Sequence, residues 1–196
     1  MKVTVIDSGL GGIAFSRNIN QYIKYLEIDL LIDKDGFPYG DKDLLWLKNR
    51  LLHLVNNAKT NIVIIACNTL SSLIFHYDLK FNKTVVDVIT PTIYFLQRQK
   101  RRKITVLATQ NTIKMDVYQR LIDCEVLYIE ATQLISDLEN KDNYNDSLNI
   151  LLGKIDLKSD LIILGCTHLI EIKEEIRQKV KKDVLSQDEI FISLFK

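Results

Sequence analysis

The feature of this sequence that most constrains its fold is a series of short, β-branched apolar runs separated by longer segments with helical spacing. Seven runs predict strands: KVTVID (2–7), IDLLID (28–33), NIVIIA (61–66), TVVDVI (84–89), KITVLA (103–108), EVLYIE (125–130) and DLIILG (160–165). Several are apolar throughout, which is typical of strands covered on both faces. Between them, DLLWLKNRLLHLVNNA (43–58) carries its leucines on one broad helical stripe. Strands that alternate with helices predict an α/β fold with mainly parallel sheets.

Composition narrows the classes of function. The 196 residues suit one domain or two small ones, and 26 Lys and Arg nearly balance 25 Asp and Glu. We therefore expect neither a nucleic-acid partner nor an anionic membrane surface. No apolar run reaches the ~18 residues of a membrane span, and the start does not resemble a signal peptide. Three scattered cysteines do not make a disulfide framework, so we expect a cytoplasmic protein with free thiols.

Two segments of the chain resemble each other. NIVIIACNTLSS (61–72) and DLIILGCTHLIE (160–171) both run from an apolar strand through a small residue and a cysteine into a helix. In open α/β sheets, ligands bind outside the carboxyl ends of the strands. We therefore expect Cys67 and Cys166 at helix starts, where the helix dipole favours a thiolate. A lone cysteine is more often a small buried hydrophobe, and that interpretation is kept for Cys124.

Two such thiols fit three kinds of site. A redox pair is one, although the C-x-x-C spacing is missing. A zinc site built from Cys67, Cys166 and His168 would lack a fourth ligand, so no metal is expected. The third is a pair of acid/base groups that face one substrate atom from opposite sides. A racemase needs that arrangement, because one group removes a proton while the other returns one.

The loops after the first two predicted strands belong to the same sheet edge. In DSGLGG (7–12), the glycines permit close backbone approach, and helix-start N–H groups there suit a carboxylate or a phosphate. The spacing is not the G-x-G-x-x-G of dinucleotide-binding proteins. DKDGFPYG (33–40) reads as a turn whose backbone is placed to line the same cleft.

Taken in order, VIDSGLGG, LIDKDGFPYG, IVIIACNTLSS, VLATQNT and LIILGCTHL resemble the cofactor-independent aspartate/glutamate racemase family, and DSGLGG resembles its glutamate branch. The resemblance spans nearly the whole chain. It implies two similar α/β domains, here 1–91 plus 171–196 and 92–170, with the active site in the cleft between them. Pro91, which follows the fourth predicted strand, is expected from its position to be a hinge between the halves. It implies interconversion of L- and D-glutamate without a cofactor, with D-glutamate supplied to cell-wall peptidoglycan. Glutamate is then the expected partner, and a homodimer is one option for assembly.

The resemblance also implies roles for individual residues. The catalytic set consists of thiol, imidazole and carboxyl side chains: Cys67, Cys166, Asp7, His168, Asp33 and Glu139. Cys67 would deprotonate D-glutamate and Cys166 L-glutamate, with Asp7 assisting the former and His168 the latter. The residues expected to contact the substrate are Ser8, Tyr39, Gly40, Asn68, Thr69, Thr109, Thr112 and Thr167. Hydroxyls, amides and N–H groups suit the two carboxylates of glutamate, and an aspartate suits its ammonium group.

The chain departs from the family pattern in several places. It is shorter than typical members, CTHLI stands where CTHYP is usual, and Thr90 replaces the glutamate before the junction proline. The tail at 183–196 resembles a reduced form of the part that completes the first domain. These changes leave both thiols intact but keep two alternatives open. One is a racemase for another acidic amino acid, and the other is a catalytically weak binding protein, for which two thiols would be unnecessary.

Overall fold

The structure is a computed structural model that describes residues 1–156 and 158–195. Within these residues, eight strands form two four-stranded sheets in which all paired strands are parallel. The first sheet contains β1 (Lys2–Asp7), β2 (Glu27–Ile32), β3 (Ile62–Ile65) and β4 (Thr84–Asp87), in the order β2-β1-β3-β4. The second contains β5 (Lys103–Ala108), β6 (Glu125–Glu130), β7 (Leu161–Gly165) and β8 (Val184–Ser186), in the order β6-β5-β7-β8. The predicted α/β class with two similar, parallel-stranded halves is confirmed.

Helices connect the strands across both faces of each sheet. In the described part of the chain they are α1 (Leu10–Tyr22), α2 (Leu44–Asn57), α3 (Asn68–His76), α4 (Ile89–Gln97), α5 (Gln110–Met115), α6 (Val117–Leu121), α7 (Thr132–Asn140), α8 (Asn145–Leu152), α9 (Lys173–Val180) and α10 (Gln187–Ser193). Short 3-10 helices cover Lys34–Gly36 and Thr167–Ile172. The helix predicted over 43–58 is α2. It begins where the Asp43 carboxylate accepts a hydrogen bond from the Trp46 N–H at 2.8 Å.

The core explains why the strands read as continuous apolar runs. In β7, the four residues Leu161–Leu164 are fully buried, because helices cover the strand on both sides. One apolar cluster joins the two halves of the molecule, since it contains Ile65 of β3 together with Val106 of β5 and Ile163 of β7. The two sheets therefore pack on a shared core, and their strand ends are held in a fixed relation.

Three predicted strands, β1, β5 and β6, have the predicted bounds, and the other four differ by one or two residues at one or both ends. TVVDVI (84–89) stops at Asp87, because that carboxylate accepts hydrogen bonds from the N–H groups of Ile89 and Thr90 at 2.8 and 2.7 Å. These bonds end the strand and let α4 begin at Ile89, within the run predicted as strand. Pro91 consequently lies buried in the first turn of α4, a position that tolerates proline. It is part of a helix and does not form a linker.

The tail of the chain is shared between the halves. Val184–Ser186 pairs with β7 as an edge strand of the second sheet, whereas α10 packs against α1 and α4 beside the first. β8 therefore belongs to the second sheet, although it falls within 171–196. The division into 1–91 plus 171–196 and 92–170 stays a prediction. Sequence analysis missed β8, since three residues give no periodicity to detect.

Candidate active site

The carboxyl ends of β1, β3, β5 and β7 border one cavity of about 190 Å³. Cys67 follows β3 and precedes α3, and Cys166 follows β7 and precedes the 3-10 helix Thr167–Ile172. Both line the cavity, and each is 8% exposed. The sequence-based placement of both cysteines at strand ends and helix starts agrees with this arrangement. Two thiols from different sheets therefore face the same small space.

The remaining cavity wall combines apolar surface with many uncharged polar side chains. Seven of the eight expected substrate-contact residues line it: Ser8, Tyr39, Gly40, Asn68, Thr69, Thr109 and Thr167. The eighth, Thr112, lies behind the wall, with its hydroxyl 3.0 Å from that of Thr109 and 3.3 Å from that of Thr69. No lysine or arginine occurs among the described residues that line the cavity. A bound carboxylate there would depend on hydroxyl, amide and backbone N–H donors.

Cys166 is joined to a buried imidazole and a carboxylate. Its Sγ lies 3.6 Å from Nδ1 of His168, and Nε2 of His168 lies 2.7 Å from Oε2 of Glu139. Glu139 belongs to α7 and lies behind the cavity wall, so it reaches the sulfur only through the imidazole. Thiol, imidazole and carboxylate thus form a chain in which each group is oriented by the next.

The charges in this chain favour an imidazolium. Burial alone would disfavour a charged His168, but the contacts with Cys166 and Glu139 outweigh it and raise the pKa of His168 to about 10. Burial likewise acts to raise the pKa of Glu139, and the hydrogen bond from His168 reverses this and lowers it. A protonated His168 beside Cys166 stabilises negative charge on that sulfur.

Cys67 has a different environment. Burial raises the pKa of the Cys67 thiol well above its usual value, and the negative charge of Asp7 adds to the effect. Backbone N–H groups of Thr69 and Leu70 at the start of α3 oppose the rise without cancelling it. Negative charge on Cys166 also raises the pKa of Cys67, so the two sulfurs lie within electrostatic range of each other.

Asp7 is fully buried behind the wall and connects the two halves. Its Oδ1 accepts hydrogen bonds from the N–H groups of Ser8 and Gly9 at 2.8 and 3.2 Å, and its Oδ2 accepts one from the Thr167 hydroxyl at 3.1 Å. Burial raises the pKa of Asp7, while the charge of His168 opposes the rise. Asp7 influences Cys67 through its charge and orients Ser8 and Thr167, which do line the cavity.

The glycines of DSGLGG allow α1 to approach the second half closely. A Cβ built on Gly11 would lie 2.5 Å from the backbone nitrogen of His168 and 2.6 Å from the carbonyl carbon of Thr167. The N–H of Leu10, at the start of α1, donates to Oε2 of Glu139 at 2.8 Å. The helix start therefore holds a carboxylate, as its sequence indicated, but the carboxylate is supplied by this chain's own Glu139.

Asp33 anchors Tyr39 and does not line the cavity. Its carboxylate accepts hydrogen bonds from the Tyr39 hydroxyl and from the Arg50 guanidinium, with Arg50 Nε at 2.8 Å. Burial acts to raise the pKa of Asp33, but these bonds outweigh it and lower that pKa. Tyr39 lines the cavity and Asp33 lies behind it, so the structure gives Asp33 a positioning contact.

Sequence analysis missed several residues at the site. Asn111 clamps the Tyr39 loop across the halves, because its side-chain amide donates to the backbone oxygens of Tyr39 and Lys42 at 2.9 and 2.8 Å. The start of α7 also lines the cavity through Thr132, Gln133 and Ser136, as do Phe37, Pro38 and Asp41. Ligands bind outside the carboxyl ends of parallel strands, and α7 follows the carboxyl end of β6 at the same sheet edge. Applying this rule to β6 would have identified Thr132 and Gln133 from the sequence.

Two further observations bear on the alternatives. Cys67, Cys124 and Cys166 are all free thiols. In residues 1–156 and 158–195, no group of three or more His, Cys, Asp and Glu side chains is arranged to hold a metal ion. The helices of the same residues are all too short or too polar to span a bilayer.

Comparison with known proteins agrees with the fold and the motifs. Residues 38–192 match the family model described as Asp/Glu/Hydantoin racemase. A glutamate racemase of Buchnera aphidicola subsp. Schizaphis graminum is 30% identical over 197 residues, which cover 92% of this chain and 77% of that protein. A glutamate racemase of Vibrio parahaemolyticus is 31% identical over 201 residues, which cover 95% of this chain and 74% of that protein.

Among solved structures, the glutamate racemase of Francisella tularensis in complex with D-glutamate superimposes with a TM-score of 0.83. The superposition covers 99% of this chain and 79% of that one at 24% identity, which establishes the shared fold. The family model covers most of the chain, and the curated relatives match it over nearly its full length. The chain belongs to the Asp/Glu/Hydantoin racemase family.

Proposed function

We propose that this protein is a glutamate racemase that inverts the α-carbon of glutamate with two thiols as its acid and base. The observation that carries the proposal is the placement of Cys67 and Cys166, from different sheets, on the wall of one small cavity. A thiolate and a thiol on opposite sides of one carbon are sufficient for inversion at that carbon.

The proton balance is simple. With L-glutamate bound, the Cys166 thiolate takes the α-proton and the electron pair of the C–H bond remains on the substrate as a planar carbanion. The Cys67 thiol then donates its proton to the opposite face, which gives D-glutamate. Cys166 is now a thiol and Cys67 a thiolate, so the reaction of D-glutamate runs through the same groups in reverse. Asp7 assists Cys67 and His168 assists Cys166, with Glu139 positioning His168.

The donors around the cavity suit an acidic amino acid. Hydroxyls of Ser8, Thr69 and Thr109 and the Asn68 amide can donate to carboxylates, and the buried charge of Asp7 stabilises a nearby ammonium group. Placing hydrogen-bond donors beside the α-carboxylate also stabilises the charge that develops there when the α-proton leaves. No cofactor is part of the proposal.

Relatives support glutamate as the substrate. Both curated relatives named above are glutamate racemases, and the Francisella structure holds D-glutamate. From the same similarity we also propose that the protein is cytoplasmic, forms a homodimer and supplies D-glutamate for the cell wall.

The test is an activity assay on the purified full chain. D-glutamate without added cofactor should yield L-glutamate, and the reverse reaction should approach the same equal mixture. D- and L-aspartate are assayed beside it, because inversion of aspartate in preference to glutamate would replace the proposed substrate. No inversion of either amino acid would contradict the racemase proposal and favour a binding protein.

A further inference from the structure

One polar group on the cavity wall is oriented from behind by residues that the proposed reaction does not use. Asn68 lines the cavity and is 2% exposed. Its Oδ1 accepts two hydrogen bonds from inside the protein, whereas its Nδ2 has no hydrogen-bond partner among the described residues. Buried amide groups are normally paired, so an unpaired donor on a cavity wall indicates a ligand acceptor.

The two bonds to Asn68 Oδ1 come from different parts of the chain. The Tyr118 hydroxyl of α6 donates at 2.7 Å, and Nε2 of Gln187, the first residue of α10, donates at 3.1 Å. Gln187 Nε2 also donates to the Tyr118 oxygen at 2.8 Å. The Asn68 oxygen therefore faces the protein interior, and the opposite end of its amide carries the donor.

Gln187 is itself held by a hydroxyl. Thr92 Oγ1 lies 2.6 Å from Gln187 Oε1 and 2.8 Å from the Val88 backbone oxygen, and its one proton is shared between these two acceptors. Nε2 of Gln187 faces the opposite way, toward Asn68 and Tyr118. Gln187 is 1% exposed and Thr92 fully buried, so water does not compete for these bonds. Three elements separated in sequence, α4, α6 and α10, meet behind one cavity residue.

We propose that Gln187 is a positioning residue that turns the Asn68 amide so that its NH₂ group, and not its oxygen, is available to a substrate carboxylate. The inference rests on the proposed racemase function for the identity of the ligand. Gln187 touches no substrate in this scheme, and it acts through Asn68 alone. An amide with the opposite orientation would present its oxygen to a carboxylate, which repels it.

Two substitutions of Gln187 test whether it determines which end of the Asn68 amide faces the cavity. Gln187→Glu leaves only acceptors facing Asn68, so the amide should reverse and KM for glutamate should rise about tenfold or more, with a smaller change in kcat. Gln187→Met removes the donor without adding a charge and leaves Tyr118 in place, so KM should rise less. Gln178→Met, on the exposed side of α9, is the matched control and should leave KM unchanged. Melting temperatures of all variants separate loss of folding from loss of binding.

A double-mutant cycle tests whether Gln187 acts through Asn68. Asn68→Ala should raise KM, and Gln187→Met in that background should raise it no further. A second full increase in KM, or unchanged KM in both Gln187 variants, would overturn the positioning role.

A readout without turnover separates this inference from the proposed function. The side-chain ¹⁵N signal of Asn68, assigned by its absence in Asn68→Ala, should shift in Gln187→Glu even without ligand. If wild-type protein does not racemise glutamate but this signal still shifts, the proposed function fails and the positioning role stands. A signal that is identical in wild type and Gln187→Glu would overturn the positioning role whether or not glutamate is turned over.

Discussion

The two thiols occupy matching places in the two sheets but differ in their neighbours. Each follows a parallel strand, precedes a helix and is 8% exposed. Cys166 contacts an imidazole that is supported by Glu139, whereas burial and the charge of Asp7 both raise the pKa of Cys67. In the free protein we therefore expect Cys67 to keep its proton, because its pKa is raised well above the usual value. The proposed reaction is symmetric, but the two thiols proposed to carry it out have different surroundings.

Thermodynamics limits where that asymmetry can be observed. L- and D-glutamate have equal free energy, so the equilibrium constant is one and kcat/KM must be equal in the two directions. The difference between the thiols must therefore appear in the chemistry of the free protein, in kcat and KM separately, or in pH dependence. It also means that damage to either thiol lowers kcat/KM in both directions.

Removing either thiol should break the pair completely. Cys67→Ser and Cys166→Ser should each lower kcat by about 10²–10⁴-fold in both directions, because serine is a much weaker acid and base at neutral pH. Polarimetry with each enantiomer of glutamate measures this. Cys124→Ser is the control, since Cys124 lies outside the cavity, and should retain activity. Full activity in either cavity variant would refute the two-thiol mechanism.

A substitution that moves α1 away from the second half of the molecule should disturb the surroundings of Cys166 more than those of Cys67. Gly11→Ala places a methyl group within 2.6 Å of the Thr167 and His168 backbone, so α1 must move away and the Glu139 contact at its start is disturbed. We expect a loss of roughly 2 kcal/mol or more in stability, together with reduced activity. Urea unfolding measures the stability. Gly153→Ala, where the nearest atoms lie at 3.5 Å, is the matched control and should change the stability little.

Removing the support of His168 should make the two thiols more alike. Glu139→Gln keeps the shape but removes the charge, so His168 loses its proton more readily and kcat should fall about tenfold, or about 1.4 kcal/mol. Iodoacetamide labelling at pH 7, followed by mass spectrometry, should modify Cys166 before Cys67 in wild type and reduce that preference in the variant. Glu130→Gln, at the exposed end of β6, should leave both rates unchanged. Equal labelling of the two thiols in wild type would contradict the asymmetry.

The smallest expected effect is a change with pH in the contribution of His168 to the stability of the folded protein. His168 has a folded pKa raised from 6.5 to about 10, so its contribution to stability is fully present below pH 6.5 and is lost as pH rises through 10. The difference in Tm between wild type and His168→Gln should therefore shrink between these pH values. For a chain of this size, each 1 kcal/mol corresponds to about 2–4 °C. A difference that stays constant between pH 6.5 and pH 10 would show that His168 is already neutral in the folded protein over this range.

The sequence predicted local features well and contacts between distant residues poorly. The strands followed from their apolar runs, and the placement of Cys67 and Cys166 followed from strand-end geometry. Gln187 carries no such signal, because its importance depends on where α10 packs. Thr167 and Asp7 are 160 residues apart in the sequence, and the hydrogen bond between them likewise depends on how the two sheets pack. The family resemblance indicated Glu139, but only the folded chain shows that Glu139 meets both His168 and the start of α1.

The most direct test of the two-thiol pair is racemisation of L-glutamate in heavy water, stopped at low conversion. Two separate acid/base groups predict that the D-glutamate formed carries deuterium at Cα, because its new hydrogen comes from Cys67 in equilibrium with solvent. The remaining L-glutamate should still be mostly protonated at Cα. D-glutamate that retains the substrate's own hydrogen would show that one group carries the proton between faces, and would contradict the account.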